Sequence, residues 1–389
     1  MYTHKKTIYL DQAATSYPKP PKVISAMTHA MKYQGGNPGR SSHSMARGSA
    51  EGVYACRTLA AQLFDASPQR VIFTSGTTQA LNMAIKGLLS QSKHPCPHVL
   101  CSDMEHNAVY RPLCKLQATG RITFDTFDTL PTSPHATTEA ILSAITRKLR
   151  PETTMVVCAH ASNICSASLP IEAIGKLCHD KGIALVVDGA QSAGHLPIRV
   201  GAWHISALCL PGHKGLMGPM GVGMLILGDG VRLDTLLEGG NGVDSLQGDM
   251  GEELPERFEA GTLPTPCILG LHAGMQYVKE VGLHTLSGHI SALGKQVTDA
   301  LLEMPHVSIY APQRVGGVVL FSVKKKTSDE VGEILDRQGI CVRSGFHCSA
   351  LGHATLRTPE DGAVRASFGY LNSKKDAEAL VGAVAKMKP

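Results

Sequence analysis

The feature that most restricts the fold of this chain is an alternation. Short apolar runs rich in β-branched residues, at 71–74, 98–102, 154–159 and 183–188, are each followed by a segment with helical periodicity. Strands alternating with helices predict an α/β domain on a mostly parallel sheet, because parallel neighbours need a long crossover and a helix supplies it compactly. Helices are expected at 22–33, 51–64, 78–88 and 171–181, with Gly35-Gly36-Asn37-Pro38 ending the first and Gly182 the last. Past about residue 262 the pattern changes. Leu263-Pro264-Thr265-Pro266 reads as a hinge. Two long helical patterns follow at 269–281 and 284–302, then apolar runs at 307–311 and 317–323, and helices near 328–338 and from Lys374 onward. The expected division is a large domain over 16–262 and a smaller α+β domain over 263–389, which the N-terminal segment 1–15 joins.

Composition narrows the function classes. The 389 residues are 43% hydrophobic and 18% charged, a globular profile with enough apolar side chains for two domains at roughly 100–200 residues each. The net charge of +5 is dispersed, and the densest basic run is only Lys324 to Lys326, so a nucleic-acid partner is not expected. No apolar stretch suits a membrane span or a signal peptide, which argues against a membrane partner and for a cytoplasmic location. The 11 cysteines are odd in number and scattered, so most are expected reduced and buried. No CxxC pair occurs, and the spacing of Cys158, His160 and Cys165 fits no common zinc site, so no metal is expected.

In open α/β sheets ligands bind beyond the carboxyl ends of the strands, so the residues after each strand matter most. After 71–74 comes Ser75-Gly76-Thr77-Thr78 at a helix start, which is either a plain cap or a phosphate cradle of amides and hydroxyls. The run at 183–187 ends in Asp188-Gly189-Ala190-Gln191. A carboxylate there needs a positive partner: a salt bridge, a helix start or a protonated ring nitrogen. Between the apolar runs 206–210 and 222–227 lies Pro211-Gly212-His213-Lys214-Gly215. That lysine is either a solvated surface group or a desolvated amine suited to Schiff-base chemistry.

A phosphate cradle, an acid and a lysine in this chain order meet the needs of pyridoxal 5'-phosphate. Asp188-Gly189-Ala190-Gln191 followed by Gly212-His213-Lys214 resembles the class V aminotransferase family, fold type I pyridoxal-phosphate enzymes, over nearly the whole chain. Arg343-Ser344-Gly345-Phe346-His347-Cys348 resembles the cysteine desulfurase and selenocysteine lyase branch. The resemblance implies that Lys214 binds the cofactor as an imine and moves protons at the substrate Cα. It implies that Asp188 pairs with the ring nitrogen, Gln191 with the ring oxygen, and that His106 stacks on the ring. Asn163 would sit near ring and substrate, and Thr77, Thr78 and His213 would contact the phosphate. Gly261 and Thr262, in Glu259-Ala260-Gly261-Thr262, match the pair that completes the phosphate site of a second subunit, so a homodimer is implied. Arg365 aligns with the clamp for the substrate α-carboxylate, with Arg343 beside it and Ala13-Ala14 facing the substrate. One departure stands out: many relatives carry a phosphate-binding serine where this chain has Pro211, which has neither hydroxyl nor N–H to give.

Cys348 selects among the reactions. Beside His347 and near Arg343, it has positively charged neighbours that suit a sulfur nucleophile. The expected activity is L-cysteine desulfuration to L-alanine, with a persulfide on Cys348 that passes to a sulfur acceptor, which could be a protein. Selenocysteine is the competing amino-acid substrate, since the short stretch between Cys348 and Arg365 leaves little room for the long mobile loop of one desulfurase group. Two competing functions use the same scaffold: a class V transaminase or lyase that does not need Cys348, and a non-catalytic binding or sulfur-carrier protein that has kept the fold.

Overall fold

The structure, a computed structural model, describes residues 7–39, 43–133, 135–243 and 246–387; residues 1–6 of the expected N-terminal segment lie outside the described residues. The strands, in chain order, are β1 (Ile8–Tyr9), β2 (Val71–Thr74), β3 (His98–Ser102), β4 (Thr123–Phe127), β5 (Thr153–Ala159), β6 (Ala184–Asp188), β7 (Ala207–Pro211), β8 (Gly223–Leu227), β9 (Val307–Tyr310), β10 (Val318–Val323), β11 (Ile340–Cys341), β12 (Arg343–Gly345) and β13 (Ala363–Ser367). Among the described residues a 7-stranded sheet runs in the order β2-β8-β7-β6-β5-β3-β4. Only β8 opposes its neighbours. Strands β7 and β8 are buried along their whole length, and β5 and β6 nearly so. That is why they read as continuous apolar runs: helices cover both faces of a parallel sheet.

One core on the sheet joins Leu100, Val187 and Leu210 to helix residues such as Val53 and Phe64. The other joins Ile72, Val99 and Val186 to Leu81, Ile85 and Leu113. The expected hinge at Leu263-Pro264-Thr265-Pro266 is instead a helix start. Pro264 is the N-cap of the helix Thr265–Val281 and Pro266 lies in its first turn, where a missing N–H costs nothing. This helix sends Ile268, Leu271 and Met275 into the first core.

A second, 4-stranded antiparallel sheet has the order β12-β13-β10-β9. The helix Leu283–Leu302 packs on it through Ile290, Leu293, Val297 and Leu301, together with Phe321 and Val364. The N-terminal segment joins this unit: β1 pairs in parallel with β11, and Leu10 is fully buried in the same core. The carboxyl ends of the large sheet and the β12–β13 ladder therefore face a common space.

Candidate active site

The parallel strands deliver their polar groups to one cavity of about 370 Å³. Its lining includes Thr77 and Thr78 after β2, His106 after β3, Asn163 after β5, Asp188 at the end of β6, and His213 and Lys214 after β7. The helix Thr77–Ser90 starts at Gly76 with no side-chain cap among the described residues, which leaves its first amides to the cavity. Gly76 has φ 154, and a Cβ on Gly223 of β8 would come within 2.6 Å of its Cα, so the cradle needs glycine on both strands. Thr77 Oγ1 and His213 Nδ1 are buried without a hydrogen-bond partner among the described residues.

Electrostatics set the protonation states. Asp188, 4% exposed, accepts the Ala190 N–H at 2.9 Å, and burial raises its carboxyl above the usual range. Burial pushes the Lys214 amine down to about 8, with Asp188 opposing the shift and Arg365 and Arg343 adding to it. Burial, then the Lys214 charge, lowers His106 to about 4; its Nδ1 accepts the Ala108 N–H at 3.0 Å as the cap of its own helix, so the proton sits on Nε2. Gln191 donates to the Ala13 carbonyl at 3.0 Å, which ties the N-terminal segment to the wall.

The second sheet supplies the cations. In the β12–β13 register Arg343 lies directly opposite Arg365, which places both side chains on one face. Arg365 is 1% exposed, donates to the Asn163 carbonyl at 2.9 Å and to Asp11 Oδ1 at 2.5 Å, and keeps a buried Nε with no partner among the described residues. Cys348 is exposed, and its Sγ accepts from Arg343 Nη2 at 3.6 Å. Of the two positive neighbours expected from sequence, Arg343 is charged and His347 is not: burial pushes His347 down to about 3, so its ring is neutral.

Of the residues singled out in the sequence, Ala13, Thr77, Thr78, His106, Asn163, Asp188, Gln191, His213, Lys214, Arg343 and Arg365 all line this cavity. Cys348 lies next to it through Arg343 and His347. Gly261 and Thr262 do not join it; they line another cavity of their own chain with Tyr54 and Arg57. Pro211 forms part of the wall, where the hydroxyl-bearing Ser75 also stands.

Sequence reasoning missed several contributors. Asp11 partners Arg365 from 354 residues away, and Lys19 donates to the His213 carbonyl at 2.8 Å just before Lys214. Glu105, next to His106, is fully buried. Only Asp11 left a trace, as an acid after the apolar run that ends at Leu10.

Residues 8–380 match the family model for class-V aminotransferases, and the chain belongs to that family. It is 30% identical to a probable cysteine desulfurase of Methanothermobacter thermautotrophicus over 96% of this chain and 92% of that one. The solved cysteine desulfurase of Thermococcus onnurineus superposes with a TM-score of 0.89 at 29% identity, covering 98% of this chain and 94% of that one. An Escherichia coli cysteine desulfurase gives a TM-score of 0.86 at 25% identity, with 97% and 94% covered.

Proposed function

We propose that this chain is a pyridoxal 5'-phosphate-dependent cysteine desulfurase that converts L-cysteine to L-alanine and retains the sulfur as a persulfide on Cys348. The observation that carries this reading is Cys348 Sγ at 3.6 Å from Arg343 Nη2, beside the cavity of Lys214 and Arg365. A transaminase needs the amine and the carboxylate clamp but no thiol. The similarity to proteins named as cysteine desulfurases supports the same choice.

The residues fit the cofactor. Thr77, Thr78 and His213 would take its phosphate, and two of them offer buried polar atoms that lack a partner among the described residues. Asp188 would face the ring nitrogen, Gln191 the ring oxygen, His106 the ring face and Asn163 its edge. When bound, the cofactor supplies a carbonyl carbon that amines add to and a ring that withdraws electrons from Cα. A cation beside Asp188 returns its carboxyl to the ionised form that burial alone disfavours.

Lys214 would hold the cofactor through Nζ. With its amine near 8, a useful fraction is neutral at physiological pH and can take the Cα proton and give one back. Arg365 and Arg343 bind the α-carboxylate, and Ala13 leaves room for the short side chain. Cys348 attacks the substrate sulfur: an S–S bond forms as the C–S bond breaks. The carbon gains a proton to become the methyl of alanine, so cysteine plus thiol gives alanine plus persulfide with no outside oxidant. An acceptor thiol then removes the sulfur.

In this reading residues 16–262 form the large cofactor-binding domain, and 1–15 with 263–389 the smaller domain that contributes Ala13, Arg343 and Arg365 to the cavity. Gly261 and Thr262 serve the phosphate site of a second subunit, which makes the working unit a homodimer. The test is Cys348→Ala. It should keep the absorbance of Lys214-bound cofactor and its bleaching by borohydride, yet form neither alanine nor sulfide from L-cysteine. Alanine at the wild-type rate refutes the assignment.

A further inference from the structure

Cys348 stands on a tight turn, closed by the Ser349 N–H donating to the Phe346 carbonyl at 2.9 Å. His347 and Cys348 have φ 52 and 56, two consecutive non-glycine residues in the left-handed region, which side-chain-bearing L-residues rarely adopt. Their carbonyls are tied down: Asn163 Nδ2 donates to the His347 carbonyl at 2.8 Å and the Asn107 N–H to that of Cys348 at 2.7 Å. Beneath them lies a buried chain of side chains. His347 Nε2 is 3.0 Å from the Arg343 carbonyl, His347 Nδ1 is 3.0 Å from His353 Nε2, and His353 Nδ1 is 2.8 Å from Thr358 Oγ1.

The hydrogen-bond partners assign the protons on this chain. A carbonyl only accepts, so His347 Nε2 carries hydrogen. Burial holds both rings neutral, at about 3 for His347 and about 4 for His353, so His347 Nδ1 is bare and must accept. His353 Nε2–H is therefore the donor to it, which leaves His353 Nδ1 to accept the Thr358 hydroxyl. All three bonds point the same way, toward the Arg343 carbonyl, and the Arg343 side chain meets the Cys348 sulfur.

We propose that His353 is a positioning residue for the sulfur-transfer step: its Nε2–H fixes the tautomer of His347, and through it the left-handed turn that keeps Cys348 Sγ against Arg343. The inference rests on Cys348 being the sulfur-accepting nucleophile. His353 does not line the cavity, so its effect falls on the turn and not on substrate or cofactor binding.

Three variants of the full chain test this, each loaded with cofactor. His353→Phe keeps a ring but has no donor; His353→Gln keeps an N–H where Nε2 stands; Thr358→Val removes the hydroxyl that fixes the His353 tautomer. His353→Phe should lower kcat for alanine formation at least tenfold with KM for L-cysteine within twofold, and leave Lys214-bound cofactor absorbance unchanged. His353→Gln should recover kcat to within threefold of wild type, and Thr358→Val should lose twofold to fivefold. Alkylation by iodoacetamide gives a readout apart from turnover, with exposed Cys96 as the internal reference. The Cys348-to-Cys96 rate ratio should change at least threefold in His353→Phe and stay at the wild-type value in His353→Gln. Wild-type kcat and ratio in His353→Phe overturn the proposal. So does a kcat loss matched by loss of cofactor absorbance, or a Gln variant as impaired as Phe. If His353→Phe does not fold, wild-type kcat in Thr358→Val overturns it. Loss of activity in Cys348→Ala without any effect at 353 or 358 rejects this inference alone; activity retained in Cys348→Ala rejects the underlying reading.

Discussion

Glu105 gives the sharpest test of the electrostatics, because a carboxyl cut off from water stands next to His106, behind the site. It is 0% exposed. Its Oε1 accepts the Ser102 hydroxyl and, at 2.8 Å, the Ala159 N–H, while Oε2 has no partner among the described residues. Burial, opposed by those two donors and reinforced by Asp188 and Asp103, pushes this carboxyl from 4.5 up to about 8. The folded protein therefore keeps a proton that the unfolded chain releases above 4.5. Stability from this group is fully present below 4.5 and is lost as pH rises through about 8, by about 1.4 kcal/mol per pH unit inside that window. The whole window amounts to about 3–5 kcal/mol. Glu105→Gln retains the acceptor oxygen and has no proton to release. Its unpaired amide hydrogens cost about 1–3 kcal/mol at every pH and cancel from the slope. Urea unfolding of both proteins at one concentration, at about pH 5 and about pH 8, should show the wild-type advantage shrinking by about 3–4 kcal/mol. Parallel pH dependences would refute the argument, since they would mean that Glu105 is ionised or hydrated in the fold.

Three further predictions follow from the same charges. In protein stripped of cofactor, trapping of Lys214 with a small aldehyde and borohydride should reach half its maximal rate near pH 8; a midpoint above about pH 10, the ordinary lysine range, would contradict its burial. Glu259→Gln should destabilise by about 3–5 kcal/mol, because it strands the buried Arg57 that it pairs with. Replacing both partners with apolar residues should recover most of that loss, and chemical denaturation measures both variants. Arg365→Lys should lower kcat/KM for L-cysteine by roughly 10–100-fold, chiefly through KM, since an ammonium cannot form the two parallel bonds of a guanidinium; steady-state rates with unchanged KM would remove Arg365 from the clamp.

What the sequence revealed follows from how each signal is encoded. Strands β5 to β8 are buried on both faces and therefore announce themselves as apolar runs, and the residues at their ends were readable by the same logic. Strand β4 lies at the sheet edge with only Phe127 buried, so it carries Thr and Asp and no comparable run. The helix expected from residue 51 starts at Ser44. Gly48 and Gly52 break its pattern, and a Cβ at Gly52 would meet Leu269 Cδ2 at 2.6 Å, so a larger residue there would make the Leu269 side chain shift. Asp11, far from Arg365 in sequence, left only the trace of an acid after an apolar run, and the hydrogen bond between His353 and His347, six residues apart, follows no helix or strand period that would mark it. Arg365 was legible only through its motif, because a charged residue in the middle of the buried strand β13 contradicts the pattern that marks strands.

That contradiction explains the site. Like charges directly opposite in an antiparallel ladder oppose folding, and a buried arginine adds a desolvation cost, yet β12 and β13 place Arg343 against Arg365. Asp11 offsets part of the charge on one of them. The rest is felt nearby: after burial, the charge of Arg365, Arg343 or both contributes to holding His106, His347 and His353 neutral and to lowering Lys214. One pair of arginines thus does two things. It creates a demand that an anionic carboxylate satisfies, and it lowers the proton affinity of the surrounding nitrogens, which the base role proposed for Lys214 and the directed bonds under Cys348 both use. Lowering the positive potential to stabilise the fold would weaken substrate capture and raise those nitrogens toward their protonated forms together, so the ladder retains a local instability that packing in the core beneath it offsets.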